Sequence, residues 1–370
     1  MAAPVLGQRA LNRALLERQG LLARSRTAPL AMVERLAGLQ AQVPWNPYLA
    51  LWSRIEGFDP EALSDAVADR RAVRAQLMRS TIHLVSARDC LAIHPLTLPL
   101  LARVFRTAFG RAVAGIDIEA VIAAGRAALT EQPRSRAELR PGLGERWPDT
   151  DPNALAQAVT FNLPLVQVPP RGLWRRSGQA RWVLAERWLD APLDPEPSAE
   201  ALVLRYLAAF GPATTGDIRT WSGITGLRAV VERLRGDLRT FQDERGRELL
   251  DVADGGLPDP ETPAPPRFLP EYDNLVLSHE DRSRVLAGHG PGEPFPAGSL
   301  KGTLLADGFY RANWSIAEAG GTATLAIDRF RRRPDDPAGT LDGIADEGAR
   351  MLAFLTPDAG GRRVVFTPEP

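Results

Sequence analysis

One local pattern occurs twice in the chain and limits the folds it can adopt. The segment Asp59–Val67, DPEALSDAV, is nearly repeated by Asp151–Val159, DPNALAQAV. In both copies an aspartate precedes a proline, which is typical of a helix start, because the carboxylate accepts from backbone N–H groups and proline fits the first turn. Each copy follows two helical patterns and precedes two short strand patterns. The sequence therefore predicts a repeated unit of three helices and a β-hairpin.

Three such units follow one another, and an additional helix precedes the first. The predicted helices are 11–22, 30–39, 46–55 and 60–67, then 118–129, 136–147 and 151–159, then 199–210, 214–221 and 225–238. The predicted hairpin strands are 72–77 with 81–86, 165–168 with 182–185, and 239–242 with 248–252. A proline-rich linker at 253–267 leads to predicted strands at 275–278, 302–305, 310–316, 322–327 and 364–367, with a helix at 340–355.

Three helices closed by a β-hairpin form the winged-helix variant of helix-turn-helix, whose third helix and wing commonly contact DNA. We therefore predict an α+β fold of three tandem winged-helix repeats and a small C-terminal α+β domain. The predicted boundaries are 1–115 with the N-terminal helix, 116–195, 196–256 and 257–370. The alternatives are unrelated helical bundles, or helix–hairpin units that contact other proteins.

The formal net charge of zero conceals a strong asymmetry along the chain. Residues 1–240 carry 31 Arg and 23 acidic residues, whereas residues 241–370 carry 14 basic and 22 acidic ones, for totals of 45 and 45. Lys301 is the only lysine, and arginine suits bidentate contacts to phosphates and bases. The first part of the chain thus favours a nucleic-acid partner, although a bias toward GC-rich codons gives the same composition.

Several functional classes are excluded or disfavoured. Cys90 is the only cysteine, so neither an intramolecular disulfide nor a cysteine-based zinc site can form. The histidines are too scattered for a metal cluster, and phosphate-loop, dinucleotide, zinc-protease and serine-hydrolase motifs are absent, so no metal or cofactor is expected. Residues 1–20 lack the apolar core of a signal peptide, and no apolar run is long enough to span a membrane. We expect a cytoplasmic protein with no membrane partner.

The most distinctive segment is the pair of glutamines in Gln40-Ala41-Gln42-Val43-Pro44. On a continuous helix the two amides would point about 200° apart. Pro44 disfavours a helical conformation at Val43, so the helix should end near Gln40 and the chain should leave it extended. In an extended segment, residues two apart lie on one side. The sequence predicts that both amides face one site, although two polar residues at a helix end are a plainer explanation.

Three longer segments share a resemblance. LAGLQAQVPWNPYLALWSRI, LMRSTIHLVSARD and RFLPEYDNLVLSHEDRSRV resemble the winged-helix DNA-glycosylase family typified by AlkZ. The resemblance implies tandem winged helices that form a concave DNA cradle and excise alkylated, cationic purines. In some cases the substrates are bulky antibiotic adducts or interstrand crosslinks, removed as self-resistance. It also implies that Gln40 and Gln42 are the catalytic pair, with the small Ala41 in place of a bulkier apolar residue.

Elementary chemistry restricts what two glutamines can catalyse. Cleavage of an N-glycosidic bond passes through an oxocarbenium-like sugar and needs a positioned water. An amide can orient water but cannot accept its proton at neutral pH. Such a site suffices when the leaving base is already cationic, as in N7-alkylguanine or N3-alkyladenine.

With no lysine near the motif, a Schiff base is not expected, and hydrolysis would leave an abasic site. Asp59, Asp89 and Asp273 are candidates for an assisting carboxylate, and Asp59 fits a helix cap better.

Basic hairpin turns are the predicted DNA contacts. The first turn offers Arg79 and Thr81, followed on the strand by His83, which is alternatively a surface histidine with structural hydrogen bonds. The second turn surrounds an aromatic with cations that can contact phosphates or probe a groove, namely Trp174 with Arg171, Arg175, Arg176 and Arg181. Solvated wing tips are the alternative. The run Arg331–Arg333 is predicted to be a surface loop.

The leading hypothesis is a monofunctional DNA glycosylase that acts on duplex DNA carrying alkylated purines and captures the lesion in the groove without full extrusion. A monomer is expected because no long heptad pattern offers a dimerisation helix. One alternative is a non-catalytic winged-helix regulator, which would bind paired half-sites as a dimer. The other is a scaffold protein that lacks DNA affinity even at low salt.

Overall fold

The computed structural model describes residues 3–287, 301–328, 330, 336 and 338–367. Its helices are α1 (Gln8–Arg18), α2 (Pro29–Arg35), α3 (Asn46–Trp52), α4 (Pro60–Ala68), α5 (Ala87–Phe109), α6 (Ile118–Glu131), α7 (Arg136–Arg146), α8 (Pro152–Asn162), α9 (Ala185–Leu189), α10 (Ala199–Phe210), α11 (Thr215–Ser222), α12 (Leu227–Leu234), α13 (Asn274–Leu277) and α14 (Thr340–Leu355). Its strands are β1 (Val5–Leu6), β2 (Leu39–Gln40), β3 (Ala72–Gln76), β4 (Ile82–Ser86), β5 (Leu165–Gln167), β6 (Trp182–Leu184), β7 (Leu238–Asp243), β8 (Glu248–Val252), β9 (Arg267–Leu269), β10 (Gly302–Ala306), β11 (Phe309–Ala319), β12 (Thr322–Asp328) and β13 (Gly361–Thr367).

The predicted α+β class is confirmed, and the order of three helices followed by a hairpin is present in all three stretches. The two aspartate–proline helix starts also behave as predicted. Asp59 accepts a hydrogen bond from the backbone N–H of Glu61 at 3.0 Å, and Asp151 accepts one from Asn153 at 2.9 Å. Local capping chemistry therefore fixes where α4 and α8 begin.

The first two hairpins form one sheet. The strand order is β2-β4-β3-β5-β6, and β3 pairs antiparallel with β5 through Arg74 opposite Gln167 and Ala75 opposite Val166. One face of the sheet packs on the third stretch of helices, and the other packs on the helices of the first two stretches. Because both faces of this sheet are covered by helices, the first two units share one hydrophobic core and are not separate domains with cores of their own.

The N-terminal helix lies apart from the first hairpin. Strand β1 pairs parallel with β7, and α1 contacts the third stretch and the C-terminal part of the chain. Asn12 donates to the carbonyls of Arg284 and Gly308, and Arg18 forms a buried ion pair with Asp251 at 2.6 Å. The domain boundaries given above stay a prediction, but α1 is anchored to the other end of the chain.

The C-terminal part contains a sheet of order β13-β12-β11-β10-β9 with α14 packed on it. The strands are antiparallel except for β12 and β13, which are parallel and joined through α14. The predicted strand at 275–278 is wrong. Asp273 accepts from the backbone N–H of Leu275 at 3.0 Å, so this short apolar segment begins as helix α13.

Two helix predictions in the first part also need correction. The helix predicted at 30–39 ends at Arg35, because Ala37 and Gly38 have positive φ values of 53° and 93° and turn the chain into β2. Helix α5 spans 23 residues and was not predicted, since Pro95 and Pro99 interrupt its pattern. Within the described part of the chain, neither α5 nor any other helix has the length and apolar character needed to cross a membrane.

The charge asymmetry along the sequence is largely neutralised by ion pairs between the two parts of the chain. Arginines from the basic first part form ion pairs with acidic residues of the last part, including Arg13–Asp307, Arg18–Asp251, Arg24–Glu347, Arg54–Asp273 and Arg175–Asp358. The excess of arginine in residues 1–240 is therefore not by itself a DNA-binding signal.

The Arg54–Asp273 pair is the most enclosed of these contacts, with both side chains fully buried. The Arg54 guanidinium donates to both oxygens of Asp273, at 3.0 and 2.8 Å, and to the carbonyls of Gln19 and Ala50. The next residue, Asn274, donates to the Gly38 carbonyl at 2.6 Å. This network joins the start of α13 to the segment that leads into β2.

We expect Asp273→Asn to lower the free energy of unfolding by about 3–5 kcal/mol, because it leaves the buried Arg54 cation without its counter-charge. Urea denaturation followed by circular dichroism measures the change. The matched control is Asp69→Asn, which removes an exposed partner of Arg71 and should cost less than about 1 kcal/mol. Equal effects of the two substitutions would contradict the role given to this pair.

Candidate active site

Gln40 lies on the short edge strand β2, where it pairs with His83 of β4. Its side chain is 8% exposed, and its Oε1 accepts a hydrogen bond from Nη2 of Arg79 at 2.7 Å. A guanidinium can only donate, so the amide atom that faces it must be the oxygen. This contact fixes which way the Gln40 amide points.

Gln42 follows β2 at a bend and is exposed. Between the two glutamines, Ala41 is fully buried and its N–H donates to the Ile82 carbonyl at 2.7 Å. The Ile82 N–H in turn donates to Oε1 of Gln42 at 3.3 Å. The extended exit that Pro44 predicts across both glutamines is only partly present, because β2 ends at Gln40 and the chain bends at Gln42 and Val43. Both amide oxygens use one lone pair on a donor of the protein and keep another, while the Gln42 Nε2 has no partner among the described residues.

Arg79 does not form an exposed wing tip. It sits in the β3–β4 turn with a φ of 54° and is half-buried. Besides its bond to Gln40, its Nη1 donates to the Trp221 carbonyl of α11 at 2.6 Å. Burial and the neighbouring Arg282 lower the pKa of Arg79 to about 10, so it stays protonated at neutral pH. The expectation that this side chain reaches phosphate is corrected, because the turn packs against the third stretch of helices.

The prediction of a surface position for His83 is wrong. Its side chain is fully buried, with Nδ1 3.0 Å from the Thr81 carbonyl. Burial, reinforced by the nearby Arg79 cation, lowers the pKa of His83 to about 3, so the ring is neutral at physiological pH. As placed, it cannot contact DNA. Thr81 is half-buried and donates from Oγ1 to the Met78 carbonyl at 3.2 Å.

A cavity of about 590 Å³ opens beside Gln42. Its floor is the end of the shared sheet, and its walls come from α5, α7, α8 and the basic loop between β5 and β6. The lining includes four arginines, five glutamines and three aromatic residues: Arg74, Arg136, Arg140 and Arg171; Gln42, Gln76, Gln157, Gln167 and Gln179; Phe109, Phe161 and Trp182. Among the described residues no Asp or Glu lines it. Gln40 is not part of the lining, because its side chain lies toward Arg79.

The second hairpin loop contributes less to this cavity than the sequence suggested. Arg171 lines it and donates to the Gly178 carbonyl at 3.0 Å. Trp174 does not project toward a partner, because its ring stacks on Phe354 at 5.1 Å and contacts Tyr48 at 4.8 Å. The remaining predicted cations lie outside the cavity. Exposed Arg175 pairs with Asp358, Arg176 is exposed, and Arg181 pairs with Glu138 at 3.1 Å.

The three candidate carboxylates have structural partners. Asp59 caps α4, and Asp273 is held by Arg54. Asp89 is buried and accepts from Arg205 at 2.6 Å. These contacts account for all three without a role beside the glutamines. The predicted surface loop Arg331–Arg333 lies outside the described residues.

Sequence reasoning missed the polar side chains on the floor of the cavity. Arg74 and Gln76 alternate on β3 and face the same side as the buried Ala72, and Gln167 lies opposite Arg74 on β5. All of them are at most 6% exposed. The only signal in the sequence was a pair of polar residues at a spacing of two inside an otherwise apolar strand, which also fits an exposed strand face.

We compared the chain with known protein families and solved structures. The family model described as DNA glycosylase AlkZ-like matches residues 33–354. Among solved structures, the DNA glycosylase AlkZ from Streptomyces sahachiroi has a similar fold, with a TM-score of 0.71 and 20% sequence identity over 98% of this chain and 100% of that one. No curated protein sequence matches the chain significantly.

His83 gives a prediction for the pH dependence of stability. Its pKa is about 3 in the folded chain and about 6.5 when unfolded, so the unfolded state binds the additional proton as the pH falls below about 6.5. The contribution of the neutral ring is therefore present above that pH and is lost below it. Between about pH 7.5 and about pH 5.5, we expect this group to remove about 1.4 kcal/mol of stability.

The measurement is urea denaturation of the native chain and of His83→Gln at both pH values. The glutamine variant should lose about 1.4 kcal/mol less than the native chain over this interval, whatever its stability at the higher pH. An identical pH dependence in the two proteins would show that His83 is not held neutral.

Proposed function

The chain belongs to the AlkZ-like DNA glycosylase family and is a DNA glycosylase, and we propose that it hydrolyses the N-glycosidic bond of cationic alkylated purines in duplex DNA. The substrate class includes N7-alkylguanine and N3-alkyladenine. Bulky adducts and interstrand crosslinks belong to the same class where their attachment leaves the purine cationic. The regulator and scaffold alternatives considered above do not account for the family match.

The observation that supports this substrate class is the pair of neutral amides Gln40 and Gln42, each held in one orientation by a donor of the protein. Neither amide can take a proton from water. Each can still hold a water through its Nε2 donors and its remaining oxygen lone pair. Because the oxygens are already anchored to Arg79 and Ile82, little reorganisation is required when the charge of the sugar develops.

The proposed reaction balances without a general acid. The bond from the sugar C1′ to the purine nitrogen breaks, and its electron pair neutralises the positive charge of the base, which leaves uncharged. The water held by the glutamines forms the new bond to C1′, and its proton passes to solvent. The products are a free alkylpurine and an abasic site in an intact strand.

We further propose that the three helix–hairpin stretches act as tandem winged helices and that the chain works as a monomer. The proposed backbone contacts of the second hairpin loop are Arg175 and Arg176, which are exposed, and Arg181, which is half-buried. A lesion that stays in the groove, rather than being fully extruded, is compatible with bulky or crosslinked adducts.

The first test replaces the glutamines singly. We expect Gln40→Ala and Gln42→Ala each to slow release of N7-methylguanine from alkylated duplex DNA by about 100-fold, because each removes a group that holds the water or faces the developing charge. Release is followed under single-turnover conditions, with heat or base used to reveal abasic sites.

Gln132→Ala, at an exposed glutamine after α6, is the matched control and should leave the rate unchanged. DNA affinity of both motif variants should remain within a few-fold of the native value. Native rates in both motif variants would refute the assignment of the glutamine pair. If the native chain releases no N7-methylguanine, the same assay on a crosslinked duplex tests the bulkier substrates, and failure on both would reject the proposed substrate class.

Arg79 gives a second test, as a positioning residue for Gln40. We expect Arg79→Met to lower kcat by about 10-fold or more with little change in KM, because the Gln40 amide loses the donor that orients it. Arg79→Lys, which keeps a cationic donor, should recover part of the rate. Thermal unfolding of both variants separates this effect from loss of the contact to Trp221. Equal kcat in the native chain and a folded Arg79→Met variant would remove Arg79 from the mechanism.

A further inference from the structure

The cavity beside Gln42 contains an unusual concentration of unpaired positive charge. Many arginines of the fold are bound to carboxylates, as Arg18 and Arg54 are. In contrast, none of the four arginines that line the cavity forms an ion pair with a carboxylate in the part of the chain that the structure describes. A group of like charges at a cavity with no acidic lining has a strongly positive potential.

Arg74 is the central member of this group. Its side chain is 2% exposed, and the one hydrogen bond of this side chain among the described residues runs from Nε to Oε1 of Gln167 at 3.2 Å. Burial and the neighbouring Arg171 cation lower its pKa to about 10, so it remains charged at neutral pH. A buried guanidinium that has no counter-ion costs the fold free energy, and such groups concentrate at functional sites.

The surroundings bring a second cation close to Arg74. The loop that carries Arg171 passes over it at Gly172, whose φ is 96° and where a Cβ would lie 2.5 Å from Cδ of Arg74. The Arg171 Nε is buried without a hydrogen-bond partner. On the same strand as Arg74, Gln76 is held by Ser80 through its Nε2, and its buried Oε1 has no partner. The cavity thus contains buried polar atoms, Nε of Arg171 and Oε1 of Gln76, that a ligand could hydrogen-bond.

We propose that this cavity is a phosphate subsite, in which Arg74 and Arg171 hold a backbone phosphate of the DNA strand next to the lesion nucleotide. Arg136 and Arg140, on α7, complete the positive rim. This inference rests on the proposed function for the position of the lesion, since Gln42 belongs both to the glutamine pair and to the cavity lining.

The sign of the charge decides which part of the substrate enters. A cationic purine would be repelled by four arginines, whereas a phosphodiester anion satisfies them and accepts several hydrogen bonds from guanidinium groups. A phosphate held here would place its own nucleotide beside Gln42. The lesion base would remain outside the cavity, in agreement with capture in the groove.

The test compares Arg74→Met with Arg71→Met, which removes an exposed arginine just before the same strand and outside the cavity. Binding to an undamaged duplex is measured by fluorescence anisotropy over a range of salt concentrations. We expect Arg74→Met to weaken binding by about 10-fold or more and to reduce the salt slope of log K by about 1, with both values unchanged in Arg71→Met. The thermal stability of Arg74→Met should equal or exceed that of the native chain, because an unpaired buried charge is removed.

A purely structural role for Arg74 gives the opposite result, with lower thermal stability and an unchanged salt slope, and would overturn the proposal. If Arg74→Met does not fold, Arg171→Met on the surface loop takes its place, with the same expected changes in affinity and in the salt slope.

A second experiment uses inorganic phosphate to test whether the cavity binds a free anion instead of DNA. Stabilisation of the native chain by phosphate, lost in the variant while DNA binding is unaffected, would overturn the assignment to DNA. Because an undamaged duplex is used, absence of glycosylase activity would not alter these readouts.

Discussion

The pairing of β3 with β5 is the contact on which the arrangement of the site depends. It joins the hairpins of the first two units through Arg74 opposite Gln167 and Ala75 opposite Val166. Edge strands expose unpaired backbone groups, and each of these hairpins covers one edge of the other. The resulting sheet places Ala75 and Val166 in one core and brings Arg74 and Gln167 to the floor of the cavity. Without this pairing, Arg74 and Gln167 would not lie opposite each other on the floor of the cavity.

A second constraint is the balance between paired and unpaired arginine. The acidic C-terminal part supplies Asp251, Asp273 and Glu347 to arginines of the first part, and these contacts hold the two parts of the chain together. A buried pair of this kind is costly to break from one side only. The arginines beside Gln42 lack such partners. The protein thus uses one residue type both to assemble the fold and to create a region of positive potential.

Much of the local structure follows from the sequence because the forces involved are local. Asp59 and Asp151 cap the helices that they were predicted to cap, and the hairpin strands lie within a few residues of the predicted ones. The errors have physical causes. Pro95 and Pro99 interrupt the pattern of α5 but are accommodated within the helix, and the Asp273 cap converts an apolar segment predicted as a strand into α13. The end of α2 was predicted too late in the chain, because Pro44 restricts only the residue before it, whereas Ala37 and Gly38 turn the chain into β2 with positive φ values.

The sequence by itself determined the repeated helix–hairpin order and the chemistry available to two amides, since these depend on neighbouring residues and on functional groups. It did not determine which arginines are free. His83 is buried, Trp174 packs on Phe354, and Arg79 turns inward to Gln40 and Trp221, although the sequence placed all three near a partner. Whether a guanidinium meets a carboxylate, a carbonyl or an open cavity depends on residues far away in the chain. Only the tertiary structure brings those residues together, and it therefore decided where the charge of this protein is exposed to a substrate.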